Sequence, residues 1–466
     1  MKVVIIGAGS LLFTREFIND MMCVPEFRDH VEFVLHDVHA KNLDRVYHLC
    51  KRDMESNKVG SKISATLDRR RALKGAHYIF CSVRVGGLEA YEQDVKIPLK
   101  YGVAQCVGDT LCAGGIMYAQ RTIPVMLDFC RDAAELAHKD CLFISHVNPM
   151  AMNTWACNQY GGVRFVGLCH GVFHGAHQIA GVLGIPAKEL DYICAGINHQ
   201  TWFIRLRHKG KDVSGKLLAA FEKDSEESRK EKVRIDVLRR FGYYSTESNG
   251  HLSEYLAWYR KRPSDLKNWI DLERWQGGET CGYVRVLDRR RNDFDRDFPK
   301  LLKQEPWPYL PDRRSPEHGS HLIEGLETGH LYRGHFNMPN KGLITNLPQD
   351  AIVEVPGYVD GNGINMPVVG DLPLGCAAVC NASISVQRIS VEAAVHGDID
   401  LLRQAMMMDP LVGAVCNPPE IWRMTDEMLV AQARWLPQYK KEVAKAARRL
   451  AQALRVSRKK PASCGR

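Results

Sequence analysis

Nowhere in its 466 residues does the chain carry an apolar run near the roughly 20 residues of a membrane-spanning helix, which excludes a helical membrane protein. The first apolar run, Val3 to Ile6, stops at Gly7; it is too short for the core of a secretory signal and reads as a buried strand. The 15 cysteines include no CxxC pair, so a zinc ribbon and a dithiol redox motif are excluded too. Their odd number and their scatter through apolar segments such as Tyr78 to Val83 read as reduced core thiols of a cytoplasmic protein. Internal repeats are lacking. Negative charge also runs short: 63 Lys and Arg against 54 Asp and Glu leave a net charge of +9. The excess sits in clusters, Arg69 to Arg71, Arg289 to Arg291 and the tail from Arg448, and none has the fingerprint of a nucleic-acid module. Solvated faces and contacts to small anions account for it, so neither nucleic acid nor membrane is expected as a partner.

What is present is an alternation. Lys2 to Ala8, Val31 to Leu35, Ile63 to Thr66, Tyr78 to Val83 and Cys141 to Ser145 read as strands, with helical spacing over 12–23, 42–55 and 120–138 between them. Such alternation implies a doubly wound parallel sheet, right-handed in its crossovers, with ligands at the carboxyl ends of the strands. Beyond Gly167 the pattern turns mixed. Thr201 to Arg207, Leu343 to Asn346 and Ile352 to Val355 read as strands, Arg289 to Ser315 as a polar, proline-rich surface excursion, and most of 377–456 as helix. The expected organisation is an α/β chain of three parts. Residues 1–195 form a Rossmann-like dinucleotide-binding domain, 196–455 a mixed α/β domain, and 456–466 a basic, disordered tail.

The stretch Gly7-Ala8-Gly9-Ser10 has two glycines of a dinucleotide turn but lacks the third, where Leu12 stands. Context supports the reading. A strand precedes it, a helix follows, and Asp37 ends the next strand, where an acid holds ribose hydroxyls and favours NAD over its phosphorylated form. Gly7, Gly9, Ser10 and Asp37 are therefore the expected cofactor residues. Cys169 in Cys-His-Gly-Val and His199 in Gly-Ile-Asn-His offer a thiolate and an imidazole to a metal. By spacing alone, a buried cysteine and a satisfied histidine explain them as well. Asn148 and Arg84 each follow an expected strand and could converge with Cys169 on one crevice.

These strings together carry a resemblance. GAGS, RVGG at Arg84 to Gly87, GGIMYAQRTIP, VNPMAMNTW, GLCHGV, AGINH, TESNGHLSEY, NLPQDAIVEVP and MMMDPL, in this order, resemble glycoside hydrolase family 4, the NAD-dependent glycosidases that depart from two-carboxylate hydrolysis. The resemblance implies NAD and Mn2+ as cofactors, Cys169 and His199 as metal ligands, and Asn148 and Arg84 on the sugar. It also implies a route in which NAD+ takes hydride from C3, the metal acts as Lewis acid, a base removes the C2 proton, and the C1 group is eliminated. Water then adds and the hydride returns, so the net reaction is hydrolysis. For the base, His251 and Tyr255 stand four residues apart on one helix face, and either would serve. His170 is the candidate to assist the leaving oxygen or to read a ring hydroxyl.

A Cys-His string resembles the branch that acts on unphosphorylated α-glycosides, with α-galactosides first. This chain carries Gly171 where α-galactosidases of that branch have serine. His174 and His177 could read the carboxylate of a uronic acid, making an α-galacturonidase or α-glucuronidase the alternative; as a polar helix face they would do nothing. Tyr118 and Gln120 replace an arginine and a leucine of the related pattern, and Cys112-Ala113 replaces Gly-Pro. The expected partner is a small α-glycoside, and the resemblance implies a homo-oligomer, dimer or tetramer. The second domain resembles the carboxyl-terminal domain of lactate and malate dehydrogenases. A hydroxyacid dehydrogenase is accordingly the distant rival, one that would form NADH in stoichiometric amounts.

Overall fold

The computed structural model describes residues 1–270 and 272–459. Its strands are β1 (Lys2–Ile6), β2 (Glu32–His36), β3 (Lys62–Thr66), β4 (Tyr78–Cys81), β5 (Leu142–Ser145), β6 (Arg164–Gly167), β7 (Leu190–Ile197), β8 (Gln200–His208), β9 (Lys211–Asp212), β10 (Tyr244–Ser245), β11 (Tyr332–Pro339), β12 (Ile352–Asp360) and β13 (Gly363–Asn365). The first six pair in parallel in the order β3-β2-β1-β4-β5-β6, the arrangement of a dinucleotide-binding sheet. Burial on both faces explains why β1 is a continuous apolar run. Val3 and Ile5 pack with Phe17, Leu43 and Val46 on one side, while Val4 and Ile6 pack with Leu73, Met126 and Phe129 on the other. Each such fully buried side chain contributes about 1.5–3 kcal/mol.

The sheet does not end there. β11 pairs antiparallel with β6, and β12, β7, β8 and β10 follow, giving one 13-stranded mixed sheet. The expected α/β architecture, a doubly wound parallel half followed by a mixed half, is therefore observed, but the two halves share a single sheet. They meet through one narrow rung, Asn337 opposite Gly167, and within the mixed half β12 joins β7 through another, Glu354 opposite Gly196.

Leu343 to Asn346 is a turn rather than the expected strand. The Asn340 side chain sets it, its amide nitrogen donating to the carbonyls of Ile344, Leu347 and Pro348 while its oxygen accepts from Ile344 N–H at 2.7 Å. The excursion 289–315 contains a helix, Asp293–Leu301, with Pro299 in its last turn. The last helix runs Lys440–Lys459, past the expected start of the tail; residues 460–466 lie outside the described residues. No described helix is long and apolar enough to cross a membrane.

Candidate active site

The turn after β1 leads directly into the helix Leu11–Met22. Gly7 there has φ +89°, and a Cβ on it would lie 2.3 Å from the Ser82 carbonyl oxygen, so the turn closes only around glycine. Asp37, just past β2, accepts from Gly9 N–H (2.8 Å) through Oδ2 and from His39 N–H (2.8 Å) through Oδ1. Gly7, Gly9, Ser10 and Asp37 all line one cavity of about 600 Å3. The helix amino terminus beside it presents backbone N–H groups suited to an anion.

The same cavity is lined by Arg84, Asp109, Asn148, Cys169, His199, Glu247 and His251. Each arrives at the end of an element. Asn148 follows β5 and Cys169 follows β6. His199 sits in the two-residue hairpin between β7 and β8 with φ +64°, a left-handed conformation costly for a side chain of its kind. Glu247 follows β10, and His251 lies on the helix Asn249–Tyr255. Donor atoms of Cys169, His199 and Glu247 lie within 4.8 Å of one another, as do those of Asp109, His199 and His251. The carboxylate of Glu247 stands 3.5 Å from His199 Nε2 and 3.4 Å from His251 Nε2. Thr110 Oγ1 meets His199 Nδ1 at 2.8 Å, which leaves Nε2 as the ligand nitrogen.

Electrostatics suit a cation at this point. Burial pushes His199 down to about 4, so its imidazole is neutral and its lone pair free at neutral pH. Burial would push the Glu247 carboxyl up, but the imidazoles of His199 and His251 beside it hold it low, at about 2. The Cys169 thiol is pushed well up by burial and by the charges of Glu354 and Glu247. A divalent ion reverses that last effect, because a coordinating thiol loses its proton. The N–H of Gly171, at the start of the helix Gly171–Leu183, points at Cys169 Sγ (3.4 Å) and favours the thiolate. Beside this cluster, Asn148 Nδ2 donates to Asp109 Oδ2 (3.2 Å) and Arg84 Nη2 lies 3.6 Å from it, while Arg84 Nη1 is buried with no partner among the described residues. A soft thiolate, a neutral imidazole and a carboxylate around one point, with an idle guanidinium nitrogen beside them, fit a divalent metal and a polyhydroxylated ligand.

The family model for "Family 4 glycosyl hydrolase" matches residues 2–185, and that for its C-terminal domain matches 194–412. The chain belongs to glycoside hydrolase family 4. It is 57% identical over 453 residues to an α-galactosidase of Rhizobium meliloti, covering 97% of this chain and 92% of that one. Among solved structures, a 6-phospho-β-glucosidase of Thermotoga maritima, determined with manganese, NAD+ and glucose-6-phosphate, has a TM-score of 0.75 at 21% identity over 93% of this chain and 99% of its own. A lactate dehydrogenase from a deep-sea metagenome shares the fold more distantly, with a TM-score of 0.50 at 11% identity over 84% of this chain and 98% of its own.

Within this family 4 site the remaining expected residues separate into two groups. His170 lines the cavity, with Nδ1 3.5 Å from Glu317 Oε1, and His251 lines it with Nδ1 held at 2.8 Å by Ser248 Oγ. Tyr255 does not line it. Its hydroxyl is buried without a hydrogen-bond partner among the described residues, and burial, with the charges of Glu254 and Asp109 nearby, pushes its pKa well above the usual value. His174 and His177 are exposed on the helix Gly171–Leu183, away from the cavity wall. His174 stacks near His170 with ring centres 4.8 Å apart, and His177 Nδ1 bonds the Phe173 carbonyl at 3.0 Å. Tyr118 faces the cavity and packs under the Arg84 guanidinium (5.3 Å), which Tyr91 and Tyr283 also flank. Gln120 instead points into the protein, bonding the Ser390 carbonyl (3.0 Å) and the Tyr439 hydroxyl (2.7 Å). A Cβ carried by residue 171 as a side chain requires would meet Glu247 Cγ at 2.7 Å, so glycine makes room for this acid. Asp109 and Glu247 were not foreseen. For Glu247 the available signal was its place four residues before His251, the spacing that brings two side chains to one face.

Proposed function

We propose that this family 4 chain is an α-galactosidase that uses NAD and Mn2+. The observation that carries the reading is the convergence of Cys169, His199 and Glu247 with Asp109, Asn148 and Arg84 in the very cavity lined by Gly7, Gly9 and Asp37. The 57% identity to an α-galactosidase supports the choice of sugar. Gly9, Ser10 and Asp37 hold the dinucleotide; Cys169, His199 and Glu247 hold the metal. When bound, NAD+ supplies a hydride acceptor and the metal a Lewis acid toward sugar hydroxyls, which together make an otherwise inert ring carbon acidic.

The chain's own residues then handle position and protons. Arg84 and Asn148, tied together through Asp109, anchor ring hydroxyls. His251 takes the proton from the ring carbon through Nε2, because Ser248 occupies its Nδ1. His170, oriented by Glu317, assists the departing oxygen. A uronide reading would need His174 and His177 on the cavity, and both stand off it.

The test is nitrophenol release from 4-nitrophenyl α-galactoside with NAD+, Mn2+ and a reductant, then with each withheld. Release that requires the nucleotide and the metal is expected, with no net NADH. Release without either, or stoichiometric NADH, would overturn the reading. The same reading places the enzyme in a reducing, cytoplasmic compartment, consistent with 14 free cysteines among the described residues, and as a homo-oligomer that light scattering would weigh.

A further inference from the structure

We infer that a second recess beside the active-site cavity is a subsite for a saccharide leaving group; this rests on the α-galactosidase reading. The recess has a volume of about 540 Å3 and shares one wall with the active site. Trp275 lines both spaces. So does the helix Gly282–Arg289, whose residues divide by helical period: Tyr283 and Leu287 line the active-site cavity, while Arg285, Val286 and Arg289 line the recess. The Trp275 ring stands edge-on to His251 with centres 6.2 Å apart and lies 4.9 Å from the Tyr283 ring. The recess therefore begins one side chain beyond the proposed base. A leaving group larger than one carbon atom, departing from a sugar held at that base, has this space as its neighbour.

The lining indicates what kind of group fits. Glu273, Arg274, Gln276, Glu279, Arg285 and Arg289 bring forked donors and paired acceptors, and the indole of Trp275 brings one flat apolar face. Both charge signs are present, and Arg285 is already paired with Glu279, so no strong net charge selects an ion. Many hydrogen-bonding forks, one aromatic plate and little net charge match a neutral ring rich in hydroxyls. An aryl or methyl group would leave most of these donors facing water.

The experiment uses the full-length enzyme with NAD+ and Mn2+, measuring galactose released from melibiose and from methyl α-galactoside. Arg274→Ala and Arg289→Ala remove exposed side chains, and Val286→Trp fills the recess while leaving its charges in place. The ratio of kcat/KM for melibiose to that for the methyl galactoside is expected to fall about tenfold in each arginine variant, the loss of one good hydrogen-bonding contact, and at least about as far in Val286→Trp, which takes the space of the second ring. A ratio within about twofold of the wild-type value in all three overturns the subsite. If the wild-type enzyme releases galactose from neither substrate, it is the α-galactosidase reading that fails, and the subsite fails with it.

Discussion

At the scale of single residues, the sharpest contrast is between two side chains on one helical turn. His251 faces the cavity beside Glu247, while the Tyr255 hydroxyl is buried off the cavity wall with no hydrogen-bond partner among the described residues. His251→Asn is expected to lower kcat at least about 100-fold, the low end for a general base, with NAD+ affinity intact by titration. Tyr255→Phe is expected to keep kcat and to raise the melting temperature, because it removes a buried hydroxyl that costs about 1–3 kcal/mol when unpaired. Loss of turnover in Tyr255→Phe with His251→Asn active would transfer the role to the tyrosine. Gly171 gives a second test. A serine there forces Glu247 aside, and Mn2+ affinity measured by electron spin resonance should drop about tenfold; unchanged affinity would remove Glu247 from the ligand set. Cys169 and His199 were legible because short strings frame them. Asp109 and Glu247 were not, because a lone acid has no periodicity to betray it, and only the fold brings each beside His199.

At the scale of elements, the strands nearest the site were the hardest to read. β6 and β11 carry polar residues such as Arg164, His335 and Asn337, and no alternation marked them, whereas the apolar β1, β2, β4 and β5 stood out. The junction strands bury polarity deliberately placed near the ligands. Glu354 on β12 accepts from Asn198 Nδ2 at 3.0 Å, while its other oxygen lacks a partner among the described residues, and burial pushes its carboxyl up to about 7. An unfolded glutamate titrates at about 4.3. Between about pH 4.3 and 7 the folded chain thus holds a proton that the unfolded chain has released, so this site's contribution to stability falls as pH rises through that window and is flat above it. Over the whole window the loss is at most on the order of 4 kcal/mol. Glu354→Gln keeps the acceptor for Asn198 but does not titrate. Its stability relative to the wild type, from urea melts of metal-free protein, should therefore be greater at a pH of about 8 than at about 5. An equal difference at both values would mean that Glu354 is not the titrating group.

At the scale of the whole molecule, the sequence pattern separates two halves that the structure joins, and the difference has consequences. Alternating strands and helices mark the parallel half plainly, and the mixed pattern beyond Gly167 suggests a second unit from residue 196, but pairing between distant strands leaves no local trace in a sequence. In the structure the parallel half borrows its core. Tyr309, Leu322, Ile323, Phe336 and Val359 pack into the same apolar cluster as Val3, Ile5 and Phe80. The helix His318–Thr328 lies so close that a Cβ on its Gly319 would come within 3.1 Å of Phe80 and 3.2 Å of Phe17. β6 takes its antiparallel neighbour from residues 332–339 and would otherwise present an open edge. A chain cut to residues 1–195 keeps Gly7, Gly9, Ser10 and Asp37 yet loses five buried side chains. At about 1.5–3 kcal/mol each, that loss matches the 5–15 kcal/mol by which domains are stable. The truncated chain is accordingly expected to aggregate or to melt without a cooperative transition, and to show no NAD+-induced rise in melting temperature, while the full chain melts at higher temperature when NAD+ is added. A soluble 1–195 fragment that binds NAD+ and unfolds cooperatively would show that the shared sheet is a contact between two independent domains.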